Sequence, residues 1–353
     1  MGPEARWVLV SEGRSGRSRA ALAAVRSLAA GGYRPTVTVS GELSLAARSR
    51  SSARVVSVPA AGGPGYRVAI EAELETRDYV TVIPCSDHAL AALEHPGHEL
   101  LDKSSWPDAA RAAGLSVPPT TRFNDRDDLL SAAGSLDFPI VVKPTTKRFL
   151  ARRFSSATEL QAATIEGRVL VQPYLDDRMM AVVGVMWDGH LVAAVHQRYE
   201  RVWPDPCGTV SSAVTIEPDP SLEQKIETFL SDYSGLFHME FAGTHLLDVN
   251  PRAHALNRLA AAAGCDLVVT YCDLVSGRSP RPERKRGRAG VFFRWVEGDL
   301  RSIRSRLKRR ALTLSGAVAA ARPRLGAVHS FETFKDPRPF VEDLRFSLKN
   351  ARG

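Results

Sequence analysis

The sequence predicts an α/β protein that opens with a doubly wound, Rossmann-like parallel sheet. Three observations carry that reading. Apolar strand-like runs alternate with helix-spaced runs through the first hundred residues. The later sequence changes to hairpins, one of them turning on Asp188-Gly189, a favoured turn pair. The chain has 353 residues, more than one small core usually holds, so two or three subdomains are expected around a shared site.

The elements follow in order. "RWVLVSEGRSGRSRAALAAVRSLAAGGYRPTVTVS" reads as a strand at 8–10, a Gly/Ser loop, a helix at 20–30 stopped by Gly31-Gly32, and the strand "TVTVS". A helix at 69–77 leads to the strand "YVTVIP" and then to "CSDHALAAL". The loop after the first strand lies at the carboxyl edge, where such sheets bind ligands. Gly13 and Gly16 are candidates to cradle an anion there. The Rossmann glycine pattern is incomplete, and a plain strand-to-helix turn is the competing reading.

"LLDKSSWPDAARAAGLSVPPT" reads as a helix ending at Gly114, which delivers Lys103, followed by an extended "SVPPT". "FPIVVKP" is a strand ending at Lys143-Pro144, "SSATELQAATI" a capped helix and "RVLVQPYLDD" a strand running into a turn. A long hairpin, the helix "SLEQKIETFLSDY" and a second hairpin, "HMEFAGTHLLDVNPR", come next. Two short helices broken at Gly264 close this part of the chain.

Composition limits the function classes. The chain is 44% AVILMFWYC and 24% charged, as in a folded globular protein. No apolar run approaches the roughly 20 residues that span a bilayer, and strand-like sequence begins by Trp7, so no signal peptide is expected. Cys85, Cys207, Cys265 and Cys272 are scattered without metal spacing, which suggests reduced thiols and a cytoplasmic setting. The net charge of +8 is local: residues 278–310 hold 13 Lys or Arg against 3 acids, leaving the rest near −2.

The chemistry concentrates in 238–252. A three-residue loop at Gly243-Thr244-His245 would pair Ala242 with Leu246, Phe241 with Leu247 and Glu240 with Asp248. Cross-strand partners share a face, with Cβ atoms about 5 Å apart, and Asn250 points the same way. Facing carboxylates repel unless a cation lies between them or one is protonated. Their oxygens, with that of Asn250, suit Mg²⁺. The competing reading is a solvated hairpin face.

"MEF…LLDVNPR" resembles the metal hairpin of the ATP-grasp superfamily, in which an acidic residue and Glu-x-Asn-Pro-Arg bind two Mg²⁺; Asp248 stands where that family usually has Glu. The resemblance runs from about residue 100 to 280. It implies Glu240, Asp248 and Asn250 as ligands of Mg²⁺ (or Mn²⁺), and Arg252 at the phosphoryl or acyl-phosphate group. "LLDKSSW" and "FPIVVKP" resemble the family's nucleotide lysines, Lys103 and Lys143. "VLVQPYL" resembles the hinge, with Gln172, Tyr174 and Leu175 lining the adenine pocket. Arg198 fits the arginine that ends a strand near the reacting centre, the "WPDPCGTVSSA" loop is a candidate lid, and His254 and Asn257 are candidates to face a carboxylate substrate.

The implied fold is ATP-grasp, preceded by a Rossmann-like pre-ATP-grasp domain. The expected divisions are 1–100, a small subdomain at 101–171, a large subdomain at 172–285 and a basic helical extension at 286–353. The implied activity is ATP-dependent joining of a small carboxylate to an amine through an acyl phosphate, and the layout after the hairpin resembles the carbamoyl-phosphate synthase and biotin carboxylase branch. A homodimer is among the expected assemblies, and no specific nucleic acid is expected.

One departure stands out: residues 144–166 contain no glycine, where the family has a glycine-rich phosphate loop. Lys147, Arg148, Arg152 and Arg153 offer side-chain cations instead, or form a solvated basic hairpin. Two other functions compete with the ligase. The basic segment 278–310 suits nucleic acid or an anionic membrane, through a helix with Leu300, Ile303 and Leu307 on one stripe. An inactive nucleotide-binding relative would account for the missing glycines.

Overall fold

The computed structural model describes residues 6–13, 16–41, 43–146, 149–278 and 283–350. Lys147 and Arg148, and the start of the chain before Arg6, lie outside the described residues. Among the described residues no helix is long and apolar enough to cross a membrane.

The first sheet holds β1 (Trp7–Ser11), β2 (Arg34–Val39), β3 (Arg54–Ser57) and β4 (Tyr79–Pro84), all parallel in the order β3-β2-β1-β4. Helices α1 (Arg19–Ala30), α2 (Leu45–Arg48), α3 (Tyr66–Leu74) and α4 (Asp87–Ala92) alternate with these strands. Strand alternation splits β1: Val8 and Val10 pack in the core with α1, while Leu9 packs with Tyr66 and Ile70 of α3. Both faces are therefore covered, as a parallel sheet requires. The expected helix at 69–77 starts three residues earlier. The half-exposed β3 has no sequence expectation: its alternating partial burial removes the continuous apolar run that marks β1.

The second sheet is antiparallel, in the order β5-β8-β6-β7, with β5 (Thr121–Phe123), β6 (Ile140–Pro144), β7 (Arg152–Phe154) and β8 (Val169–Pro173). Helix α5 (Pro107–Ala112) packs through Ala110 in a separate core with Ile226 and Phe237, whereas α6 (Arg126–Ser131) and α7 (Ala157–Gln161) accompany this sheet. Its small core, built on Phe123, Leu129, Ile140, Val142 and Leu160, is separate from the others.

The third sheet has eight strands. β9 (Met179–Trp187) and β10 (His190–Trp203) form the hairpin turning on Asp188-Gly189, both with positive φ. β11 (Thr209–Thr215), α8 (Pro220–Phe229), β12 (Gly235–Ala242), β13 (His245–Asn250), α9 (Asn257–Ala262) and α10 (Leu267–Val275) follow. β14 (Lys285–Arg286), β15 (Phe292–Arg294), α11 (Val296–Lys308), α12 (Leu314–Ala321), β16 (Val328–His329) and α13 (Arg338–Asn350) complete the chain. The order is β13-β12-β9-β10-β11-β15-β16, with β14 beside β10. Residues of α1, α9, α10, β9 and β10 share one core, so the first and third sheets are packed together through their helices.

The basic segment is built into this architecture. Arg284 and Arg286 pair with Glu223, a fully buried residue of α8. Arg201 and Arg294 converge on buried Asp299 of α11. Of the expected apolar stripe on α11 only Ile303 is buried, and Leu300 is 47% exposed. The helix docks through Asp299 and its two arginines, so a continuous apolar stripe is not what seats it.

Candidate active site

The hairpin β12–β13 turns more tightly than expected, and a bulge restores the expected carboxylate pair. Ala242 pairs with His245 across Gly243-Thr244, and Phe241 pairs with Leu246. The register then shifts, and Glu240 stands opposite Asp248, with His238 opposite Asn250. Leu247 is the extra residue, and a bulge leaves a backbone group outside the ladder. Lys143, at the end of β6, takes up that opportunity: its Nζ donates to the Leu247 carbonyl over 2.8 Å. Burial, reinforced by the nearby Lys103, pushes the Lys143 ammonium down to about 8, while Asp248 and Glu240 oppose the shift.

Lys103 lies in the turn before α5, not within the helix as expected, and its backbone N–H donates to the Thr145 carbonyl over 2.9 Å. Its ammonium pairs with Asp248. The facing carboxylates thus have the countercharge that the sequence demanded.

A hydrogen-bond chain orders the rest of the face. Arg252 Nη2 donates to Asn250 Oδ1 over 3.0 Å. Asn250 Nδ2 faces Asp248 Oδ2 and His238 Nδ1, each at 3.3 Å. Tyr199 Oη donates to Glu240 Oε1 over 2.9 Å and lies 2.9 Å from His238 Nε2. One assignment satisfies every contact: His238 carries its proton on Nε2, donates to Tyr199 and accepts from Asn250 at Nδ1. Burial and then Glu240 raise the Tyr199 hydroxyl well above its ordinary range, so it remains a donor. The His254 ring stacks on His238 at 3.7 Å. Arg252, buried, also pairs with Asp87 at the start of α4.

Apart from Tyr199 and Asp87, these groups line one cavity of about 220 Å³. Lys103, Lys143, Gln172, Tyr174, Leu175, Glu240, Asp248, Asn250 and Arg252 all contribute to its wall. On the hinge side, Gln172 Nε2 donates to Thr120 Oγ1 over 2.8 Å. The Tyr174 N–H is engaged by the Pro139 carbonyl at 2.9 Å, so that amide is not available as a backbone contact in the pocket. Pro206, Cys207, Gly208 and Thr209 of the expected lid close another side.

Several expectations fail here for geometric reasons. Arg198 does not line the cavity. It is exposed on β10, on the face opposite Tyr199, because adjacent strand residues point to opposite faces. Asn257 is buried at the start of α9, outside the cavity wall. Arg152 donates to the Thr164 carbonyl and Arg153 lies 4.6 Å over the Tyr174 ring, so neither covers the cavity; Phe149, Leu150 and Ala151 do. Gly13 and Gly16 serve close packing. A Cβ at Gly13 would stand 2.0 Å from Ser86 Oγ, and one at Gly16 would stand 1.6 Å from the Leu43 carbonyl oxygen.

Sequence reasoning also missed Tyr199, His238 and Asp87. The signal for His238 was present, since it precedes Glu240 by two residues and so shares its face. Tyr199 required the parity of β10, and Asp87 a tertiary contact.

The residues fit a divalent cation by donor chemistry. Glu240 and Asp248 supply hard carboxylate oxygens, and Asn250 Oδ1 holds one bond from Arg252 with a second lone pair left. Among the described residues no group of three or more His, Cys, Asp or Glu is gathered for a metal, so the set relies on two carboxylates and an amide.

No family model and no curated sequence matches the chain. Solved structures do. A carboxyaminoimidazole ribonucleotide synthase from Aspergillus clavatus, solved with ATP, aligns at TM-score 0.62 and 15% identity over 80% of each chain. The biotin carboxylase of Campylobacter jejuni, solved as a β,γ-ATP complex, aligns at TM-score 0.58 and 13% identity over 81% of this chain and 74% of that one. An L-amino acid ligase from Bacillus licheniformis aligns at 0.56 and 13% over 78% and 76%. These are ATP-grasp proteins, and the chain has the ATP-grasp fold.

Proposed function

We propose that the protein is an ATP- and Mg²⁺-dependent ligase that joins a small carboxylate to an amine or similar nucleophile. The observation that carries this reading is the meeting of Lys103, Lys143 and the Glu240–Asp248 pair around one cavity between the second sheet and the β12–β13 hairpin. Two cations aimed at one end of a cavity suit nucleotide phosphates, and an apolar hinge side suits a base. In this reading residues 1–100 form the pre-ATP-grasp domain, 101–171 and 172–285 clasp the nucleotide, and 286–353, expected as a helical extension, adds β15 and β16 to the third sheet and pairs with the first unit through Asp336 and Arg26.

Lys143 holds the nucleotide phosphates, exchanging the Leu247 carbonyl for a phosphate oxygen. Lys103 does the same after leaving Asp248, which makes that carboxylate available for metal. Glu240, Asp248 and Asn250 would hold Mg²⁺, which offsets charge on the transferring phosphoryl oxygens. Tyr199 and His238 fix the rotamer of Glu240, and Arg252 fixes that of Asn250 while facing the phosphoryl group. The substrate carboxylate attacks the γ-phosphate, and ADP leaves. The amine then adds to the acyl phosphate and expels phosphate. Positioning supplies much of the rate, since little protein acid–base chemistry is required.

The decisive assay is phosphate release from ATP and Mg²⁺ across a grid of amino acids and small carboxylates. Release that depends on a carboxylate–amine pair is expected, and its absence over a broad grid counts against ligation. The basic segment remains the main competitor. The engagement of Arg284, Arg286, Arg294 and Arg309 by Glu223, Asp299 and Asp205 favours a structural role for it.

A further inference from the structure

A second cavity, of about 410 Å³, adjoins the first. Phe149, Leu150, Arg252 and His254 line both, so the two meet at that wall. The far side is made by the first sheet: Ser18 and Arg19 open α1, and Ser86, Asp87 and His88 stand at the start of α4.

Among the described residues, one cation of this second cavity has no carboxylate in direct contact. Arg252 has Asp87 as its partner, and Arg17, two residues before Arg19, has Glu297 and Asp343. Arg19 forms no ion pair with any described residue. Its contacts are neutral: Nη1 donates to the Val210 carbonyl over 3.3 Å, and Nη2 donates to Thr209 Oγ1 over 3.1 Å. Its guanidinium lies 4.0 Å over the Trp295 ring. Burial lowers its pKa only to about 10, so it is charged at neutral pH. A guanidinium has five N–H donors, and the two bonds to β11 leave others for a ligand. Stacking and hydrogen bonds hold it in one orientation; Glu332 and Glu297 act on it from beyond ion-pair distance and are engaged by the Val296 N–H and by Arg17, so its buried charge is only partly offset. Such a group is stabilised when a ligand brings the anion.

We propose that Arg19 is the docking cation for a carboxylate of the small substrate, which occupies this second cavity with its reacting end toward Arg252 and His254. The ligand's part in a reaction rests on the ligase reading above; the anion site does not. The inference narrows the substrate to a small molecule carrying a carboxylate besides its reacting group, and it replaces the exposed Arg198 with a cation from α1.

The test is a titration of the full-length protein with succinate, inorganic phosphate and neutral succinamide, read by tryptophan fluorescence because Arg19 covers Trp295. Succinate is expected to give a saturable change, weakened at least about tenfold in Arg19→Gln, the scale of one charge-assisted bond. Succinamide should be silent. Arg19→Lys keeps the charge without the planar fork and should bind several-fold more weakly. If Arg19→Gln loses its near-UV circular dichroism, Arg19→Lys decides, and wild-type affinity in it overturns the proposal. Tighter saturable binding of phosphate than of succinate overturns the carboxylate assignment. A response that is absent in the wild type, or equal in Arg19→Gln, overturns the site. Nucleotide affinity, measured in parallel, should be unchanged in Arg19→Gln. Succinate binding without any ATP turnover would defeat the ligase reading and leave the Arg19 site standing.

Discussion

Arg252, two residues beyond β13, pairs with Asp87 at the start of α4, and both side chains are nearly buried, at 6% and 11% exposure. Arg252 also holds Asn250. One guanidinium therefore ties the carboxylate hairpin of the third sheet to the carboxyl edge of the first. The pair fixes the wall that the two cavities share, so it couples the proposed nucleotide end to the proposed substrate end.

Removing one partner of such a pair leaves a buried charge uncompensated. Asp87→Ala should cost about 3 kcal/mol in urea denaturation. Arg252→Met in the same chain should recover part of that loss. Full additivity of the two changes would mean that the pair is not coupled.

Asp248→Asn keeps the shape of the hairpin and removes a charge. Turnover should fall at least about a hundredfold, and the Mg²⁺ concentration for half-maximal activity should rise. A thermal melt close to that of the wild type would separate this loss from unfolding. Unaltered turnover would remove Asp248 from the metal set.

Glu12, just after β1, is buried, and desolvation pushes its carboxyl up to about 8 from 4.5, with Ser44 and Ser18 only partly offsetting the burial. Between those values the unfolded chain has released the proton and the folded chain has kept it. Stability therefore falls as pH rises from about 4.5 to about 8. Glu12→Gln has no proton to lose. It should be more stable than the wild type at pH 7.5, and the difference should vanish near pH 4. A difference independent of pH would show that Glu12 is ionised in the fold.

The hairpin was legible because its chemistry is local. Glu240, Asp248 and Asn250 sit in one short stretch, and the period of two decides their common face. The inferred loop length was wrong by one residue, and the bulge at Leu247 compensated, so the pairing survived an error in the turn. Arg198 failed for the opposite reason: the parity of a strand cannot be read until its neighbours are known, and here Tyr199 faces the site. Asp87 and Arg19 entered through contacts between segments distant in sequence. Charge composition alone did not show how 278–310 is held, because the acids that pair with Arg284 and Arg286 lie on α8, outside the segment.

Arg301, Arg304 and Lys308 lie on the part of α11 away from Asp299. Reversing all three to Glu should leave turnover within about threefold and abolish only weak, salt-sensitive binding to DNA or anionic vesicles. Loss of tight, selective binding that survives physiological salt would move nucleic-acid or membrane recognition to first place.

The central claim is that nucleotide phosphates bind where Lys143 meets the bulge of the carboxylate hairpin. Calorimetric titration of a non-hydrolysable ATP analogue with Mg²⁺ into the wild type and Lys143→Met tests it most directly. Methionine fills the buried space of the lysine stem without its charge. Saturable binding by the wild type, weakened by about 1.5–3 kcal/mol in Lys143→Met, is the predicted result. No binding by the folded wild type, or equal affinity in the two proteins, would contradict it.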